Sequence, residues 1–289
     1  MLRASVIIVE YNTLRHLGRC LSSLGQMAMP AEEYEVIVVD NGSPTPARPL
    51  VGGFPRVRLV ETGRNLGFAG GNCAALPSCN ADVVVALNPD TEVEPGWLAA
   101  MLRPFADPGV GIVGCKIYYP STRILQHAGG IVLPCGRSEH RGRGERDVGQ
   151  YDRQVDVPYV CGASLAVRRS VIERIGFFST AYHPAYYEDT ELCLRAWQAG
   201  YRVVFAPDAV VFHHEWAASE ADALGSFRLS EVSRIRYIMR NYRLRDVVTR
   251  FLPEELAFQL AGDRFPTERR IAALAYLKGA LTSRGGAHR

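Results

Sequence analysis

Lysine is almost missing from this chain: among 33 basic residues only Lys116 and Lys278 are lysines. The bias toward arginine reads as a GC-rich coding sequence as much as a functional signal. An excess of either charge is missing too, since 30 acidic residues leave a net charge of +3. So small a surplus argues against wholesale nucleic-acid binding. The seven cysteines include no Cys-x-x-Cys pair, and an odd number cannot all pair. A disulfide framework is therefore not expected, and Cys115 and Cys161, set in apolar runs, read as small buried hydrophobes of a reducing cytosol. No apolar run reaches the about 18 residues of a membrane-spanning helix. MLRASVIIVEYN has neither the length nor the cleavage site of a secretion signal. A soluble cytoplasmic protein is expected. Missing as well are the G-x-G-x-x-G dinucleotide fingerprint, a lysine-containing glycine loop near the start, and a compelling Ser-His-Asp or Cys-His set. These absences weigh against an oxidoreductase, a nucleotidyltransferase and an enzyme nucleophile. With no repeat or sustained heptad, nothing indicates an oligomeric state.

Apolar residues are plentiful, at 47% of 289, enough to bury a sizeable core. SVIIVEYN (5–12), EYEVIVVDNGS (33–43), RVRLVETG (56–63) and ADVVVALNPD (81–90) are short β-branched runs that end in polar residues. Unbroken apolarity suggests strands buried on both faces of a sheet. Between them lie segments with helical spacing, such as Leu14, Leu17, Leu21 and Leu24, and a helix is expected over Pro95–Phe105. Strands alternating with helices predict an α/β fold with a mostly parallel sheet. Residues 134–156, rich in Gly, Arg, Asp and Glu, read as a mobile loop. A helix follows from about Asp189 to Ala199, closed by Gly200, then strands YRVVFA and AVVFHH. From about residue 220 the chain reads as helical to its end, with seven arginines in 228–250.

In a parallel sheet, ligands bind outside the carboxyl ends of the strands. Polar groups gather at those ends here: Tyr11 and Asn12, then Asp40 to Ser43, then Asn88 and Asp90. Each alone reads as a turn; the three together suggest one shared cleft. RNLGFAGGN (64–72) places glycines at a helix start, where backbone N–H groups can approach a phosphate. In YYEDTELCLRAWQAG (186–200), Asp189 sits where a helix N-cap belongs, with Leu192 and Trp197 facing inward. It serves either as a cap or as a general base at the mouth of the cleft. In VVFHHEW, two adjacent histidines at a strand end point to opposite sides, so at most one of them readily faces a given cleft. An imidazole beside Asp90 suits Mn²⁺ or Mg²⁺ bound to a diphosphate.

These clusters occur in the order of a known family. The sequence resembles inverting glycosyltransferases of family 2, with the GT-A fold, and looks closest to bacterial rhamnosyltransferase-like members. SVIIVEYN, VVDNGS, NLGFAGGN, LNPDTEV, CGASLAVRRSVIERIGFF, YYEDTELCLRAWQAGYRVVFAP and HHE carry the match, from about residue 5 to 219. The resemblance implies a Rossmann-like, mostly parallel sheet flanked by helices over 1–219, with a helical C-terminal extension over 220–289. It implies that Val9, Tyr11 and Asp40 hold the nucleotide base and ribose, and that Asn65 lies near the nucleotide. The family's D-x-D-type motif reads N-P-D here, so Asp90 takes the metal, Mg or Mn, while Asn88 replaces the first acid. The family's acidic pair falls on Glu188 and Asp189, the second as catalytic base. Its last histidine falls on His213 or His214. The implied partners are a nucleoside-diphosphate sugar donor and a glycan or lipid-linked glycan acceptor. The 134–156 loop is then a lid over bound donor, and an inactive sugar-nucleotide-binding protein is the non-enzyme alternative. The arginine-rich segment is either a solvated helical face or a peripheral contact with anionic lipid.

Overall fold

The structure, a computed structural model, describes residues 2–214 and 223–260. β1 (Ala4–Glu10) leads through α1 (Leu14–Leu24) to β2 (Tyr34–Asp40), then through α2 (Arg48–Val51) to β3 (Val57–Glu61). α3 (Gly67–Ala75) and β4 (Val83–Leu87) follow, then the short β5 (Thr91–Val93), α4 (Trp97–Leu102) and β6 (Val110–Tyr118). A lobe of small strands comes next: β7 (Leu125–His127), β8 (Gly130–Val132), β9 (Ser138–His140) and β10 (Val155–Asp156). Of these, β7 and β10 join the main sheet and β8 pairs with β9, and the chain goes on to β11 (Ser164–Arg168), α5 (Arg169–Ile175), α6 (Glu188–Gln198) and the long β12 (Arg202–His213). α7 (Ala223–Asn241), α8 (Leu244–Asp246) and α9 (Leu252–Leu260) close the described chain, with a π-helical turn over Val247–Phe251 between the last two.

The main sheet runs β10-β12-β6-β11-β4-β1-β2-β3. β3, β2, β1 and β4 pair in parallel, as do β6 and β12, while β11 runs antiparallel between β4 and β6. This is the mostly parallel α/β sheet that the apolar runs predict. β1, β2 and β4 are buried almost throughout because helices cover both faces. One core lies on the α1 and α4 side, where Leu17, Leu21 and Trp97 pack against Val6, Val38 and Val85. On the opposite face, Leu192, Cys193 and Ala196 of α6 meet Ile112, Leu165 and Phe205. A third cluster joins Ile235, Tyr237 and Ile238 of α7 to Cys135, Tyr182 and Tyr187.

Several expectations need correcting. The helix read over Pro95–Phe105 is only Trp97–Leu102, followed by a 3₁₀ turn over Arg103–Ala106. Pro104 has no N–H to continue the α ladder. YRVVFA and AVVFHH form one strand, β12, with a register shift between Ala206 and Val210 at Pro207. Residues 134–156 are not a loose loop. Lys116, only 3% exposed, reaches Asp147 at 2.8 Å and Asp152 at 2.5 Å, which pins the segment to β6. Burial opposes ionisation of Asp147, but hydrogen bonds from Lys116 and Tyr118 hold its carboxyl at about 2. Two of the charges that read as solvated loop, Asp147 and Asp152, instead pair with one buried ammonium. The expected boundary at 219/220 and the helical reading of 261–289 lie outside the described residues.

Candidate active site

The carboxyl ends of β1, β2, β4, β6 and β12 all meet at one edge of the sheet. β11 runs the other way, so the loop that enters it, with Cys161 and Gly162, arrives at that same edge. A cleft of about 530 Å³ opens there, and Asn88, Asp90, His213, Gln126, Glu188 and Asp189 line it. Ser226, Phe227 and Ser230 of α7 form another part of its wall.

Asp90 and His213, 123 positions apart in sequence, are joined by strand pairing. β5 runs antiparallel to the end of β12 with His213 opposite Thr91. The backbone N–H of His214 donates to Asp90 O at 2.9 Å, and His213 Nε2 lies 3.2 Å from Asp90 Oδ1. Both side chains are nearly buried. Burial alone would raise the Asp90 carboxyl; the charge and hydrogen bonding of His213 outweigh it and leave the carboxyl below its ordinary value. Apart from this His213 contact, Asp90 Oδ1 makes no hydrogen bond among the described residues. His214 turns to the other side, with Nε2 3.0 Å from Glu92 Oε1 and its ring 5.3 Å from that of His16. His213 therefore lines the cleft with Asp90, and His214 pairs with Glu92. A buried carboxylate oxygen without a donor, beside an imidazole nitrogen, fits a divalent cation. Among the described residues no three His, Cys, Asp or Glu side chains converge, so a bound substrate would have to complete the ligand set.

Glu188 and Asp189 enter from the opposite wall. Tyr186 and Tyr187 both hold positive φ, 78° and 73°, and this left-handed pair turns the chain into α6. The helix starts one residue earlier than its sequence suggests, so Tyr187 occupies the cap position and Asp189 lies inside the first turn. Its Oδ2 accepts the Gly162 N–H at 2.8 Å, and its Oδ1 accepts the Thr190 N–H at 2.6 Å. Burial raises the Asp189 carboxyl against these hydrogen bonds. Glu188 is 6% exposed, and its Oε2 has no partner among the described residues. Burial, and then the charge of Asp189, push Glu188 up to about 8. Trp197, expected to face inward, is 37% exposed and donates Nε1–H to Val157 O.

The residues assigned to the nucleotide gather beside the cleft. Asp40 ends β2, and its two oxygens accept Ser43 N–H at 3.1 Å and Ala47 N–H at 2.8 Å. Tyr11 is 37% exposed, and Val9 is half-buried against Gly71. Asn65 Oδ1 accepts the Gly67 N–H at 2.8 Å and the Asn41 amide at 3.2 Å. Of that set, Asn88 lines the cleft itself. At the helix start in RNLGFAGGN the backbone N–H groups are already taken, that of Gly67 by Asn65 Oδ1. Leu66 N–H goes to Asn41 Oδ1 at 3.0 Å, and Phe68 N–H goes to Pro184 O at 2.9 Å. The glycines serve packing: a Cβ on Gly71 would come within 2.6 Å of Val9 Cγ1.

Sequence reasoning missed several cleft residues. Gln126 is a buried amide in a strand three residues long, which is too short for any periodicity to show. His140 and Arg143 fall in the segment read as a mobile loop. Cys161, read as a buried hydrophobe, is half-buried on the cleft wall. Outside the cleft lining, Glu10, fully buried at the end of β1, accepts both the N–H and the hydroxyl of Thr13 and shapes the turn into α1.

With this geometry in place, comparison with known proteins is informative. The model of Glycosyl transferase family 2 matches residues 5–176, more than half of the chain. The chain belongs to glycosyltransferase family 2. Its relatives include the N-acetylglucosaminyl-diphospho-decaprenol L-rhamnosyltransferase of Mycobacterium tuberculosis, 31% identical over 73% of this chain and 75% of that protein. The pre-mycofactocin glycosyltransferase of the same organism is 30% identical over 77% of this family 2 chain and 46% of its own length. Some relatives are thus much longer: the chain spans less than half of the first curated relatives it matches. Among solved structures, the mannosyltransferase PcManGT from Pyrobaculum calidifontis, in complex with GDP-Man and Mn²⁺, superposes with a TM-score of 0.62. It is 22% identical, over 96% of this chain and 75% of that one, and it shares the GT-A fold.

Proposed function

We propose that this family 2 chain is an inverting, metal-assisted glycosyltransferase. It moves a sugar from a nucleoside-diphosphate sugar to a hydroxyl of a glycan or lipid-linked glycan acceptor. One observation carries the reading: Asp189 and the Asp90–His213 pair line the same cleft. Asp189 takes the proton of the acceptor hydroxyl as that oxygen attacks the anomeric carbon. The bond to the diphosphate breaks from the opposite face, and one displacement inverts the centre. Glu188, held protonated beside it, spares Asp189 a neighbouring like charge, which favours the ionised base against the burial that raises its carboxyl. Asp90 and His213 would hold a divalent ion, Mg or Mn, with Asn88 beside them. When bound, that ion offsets the charge of the departing diphosphate. Val9, Tyr11, Asp40 and Asn65 are the proposed contacts to base and ribose, at the ends of β1 and β2 and the loop after β3.

We assign 1–219 to the catalytic unit and 220–289 to its extension, which takes part in the site through Ser226, Phe227 and Ser230 of α7. The extension also supports a peripheral membrane contact. Leu244, Val248, Leu252, Leu256 and Leu260 are all exposed at four-residue spacing, with Arg240, Arg243, Arg245 and Arg250 exposed along the same stretch. Apolar side chains flanked by arginine suit an anionic lipid surface. Sedimentation with anionic vesicles, strong at low salt and weakened at high salt, is the expected result; sedimentation with neither anionic nor neutral vesicles would sink it.

The activity is tested by thermal melting against UDP, dTDP, GDP and CMP, each with and without Mn²⁺. A metal-dependent rise with one diphosphate is expected, since a ligand bound only by the folded state stabilises it by mass action. Asp189→Asn should then abolish transfer while sparing that rise. Near-normal transfer by the variant would remove Asp189 as the base.

A further inference from the structure

We propose that Gln126 is a positioning residue that sets the ring form of His213, so that Nε2 presents a bare lone pair to a divalent cation beside Asp90. The proposal rests on the metal-assisted reading above. Tyr118, at the end of β6, pairs with Leu125 on one side and Phe212 on the other, which brings Gln126 and His213 within reach of each other. The Gln126 side chain then makes two contacts to this one residue. Its Nε2 lies 3.5 Å from the His213 backbone oxygen, and its Oε1 lies 2.7 Å from His213 Nδ1. A backbone carbonyl only accepts, so the amide nitrogen must face it, and that choice aims Oε1 at the ring. Oε1 also only accepts, so Nδ1 carries the ring proton. In a neutral imidazole the other nitrogen is then bare. The Asn88 amide nitrogen, 3.4 Å from Nε2, is placed as a donor to that lone pair.

The consequence is a pair of electron-rich atoms side by side, His213 Nε2 and Asp90 Oδ1, 3.2 Å apart. With the single ring proton of a neutral imidazole on Nδ1, no hydrogen bond joins them, and a cation between them takes both as ligands. Gln126 is 3% exposed and His213 8%, so the surrounding packing restrains both against rotating away. The mixed nitrogen and oxygen pair also favours Mn²⁺ over Mg²⁺, which takes oxygen ligands almost exclusively. The same orienting role, a hydrogen bond to the far nitrogen of a ligating imidazole, is a general feature of metal sites.

The test uses the full chain labelled with ¹⁵N-histidine and free of metal at pH 8. Long-range ¹H–¹⁵N spectra should assign His213 a protonated Nδ1 and a bare Nε2; a proton on Nε2 overturns the proposal. Electron-spin titration with Mn²⁺ supplies the second arm. Gln126→Leu should weaken Mn²⁺ binding by about 10- to 100-fold, and Gln126→Glu, which keeps an acceptor opposite Nδ1, should recover most of it. Equal Mn²⁺ affinity in Gln126→Leu and the unchanged chain also overturns the proposal. Failure of the unchanged chain to bind Mn²⁺, alone or with the diphosphate chosen by melting, instead rejects the metal-assisted reading. The ring form of His213 still judges the Gln126 contact separately.

Discussion

Glu188 shows how far one residue departs from its ordinary chemistry. Its carboxyl titrates near 8 when folded, against an ordinary value of 4.5, because burial and the neighbouring Asp189 charge both oppose ionisation. Between those values the folded state holds a proton that the unfolded chain has lost. Stability therefore falls as pH rises through that window, by at most about 1.4 kcal/mol per pH unit. Glu188→Gln should remove this slope: its melting temperature should gain on the unchanged protein as pH rises from 5 to 8. Parallel curves would show that Glu188 is ionised in the fold. Asp90 behaves in the opposite sense, kept ionised by His213 despite its burial. Asp90→Asn should abolish any Mn²⁺-dependent rise in melting temperature, whereas an intact rise would exclude Asp90 as a ligand.

At the scale of elements, the start of α3 and the loop before α6 support each other. Gly67 holds φ +72°, and a Cβ there would stand 2.7 Å from both His183 Nδ1 and Pro184 O. That loop continues into Tyr186, Tyr187 and the two carboxylates. Gly67→Ala should therefore cost well over about 1 kcal/mol and lower turnover, by displacing the approach to Asp189. Gly63 is the control, with φ +70° but nothing within 4 Å of its Cβ position. Gly63→Ala should cost only the backbone strain and leave turnover unchanged. Denaturant midpoints and kcat for the two variants decide this; equal losses would reduce Gly67 to backbone strain alone. The N-x-G-F stretch is legible in sequence as a motif, but its purpose is not. Helix-start glycines point to phosphate, and only the packed structure shows their N–H groups already used within the protein.

Across the whole molecule, Arg234 decides how the C-terminal helices join the rest. It is fully buried and pairs with Glu231 and Glu255, each at 2.8 Å, while donating to Cys135 O at 2.9 Å. One guanidinium thus ties α7 to α9 and to the segment before β9. Arg137 adds a second link to Glu231 at 2.9 Å. Arg234→Ala leaves buried carboxylates without their cation and should cost about 3–5 kcal/mol. If the helices are integral to the catalytic unit, the variant melts in one transition at lower temperature. A low transition followed by one at the original temperature would make the extension a separate domain. Arg228, Arg240, Arg243, Arg245 and Arg250 are exposed, as a solvated face and a lipid contact both require, and Arg234 is the fully buried one that composition hides.

The amino-acid sequence by itself determined the α/β class, the four parallel strands, their polar ends and the family. The reason is that strands buried on both faces leave unbroken apolar runs, and each polar end lies next to its own strand. Tertiary structure alone decided which histidine meets Asp90, because that depends on β5 pairing with β12 across more than a hundred residues. It also decided the order of the 134–156 segment, through Lys116, and the place of Gln126 behind His213. These are contacts between segments far apart in the chain, and the polar residues that make them look like ordinary surface until the fold buries them.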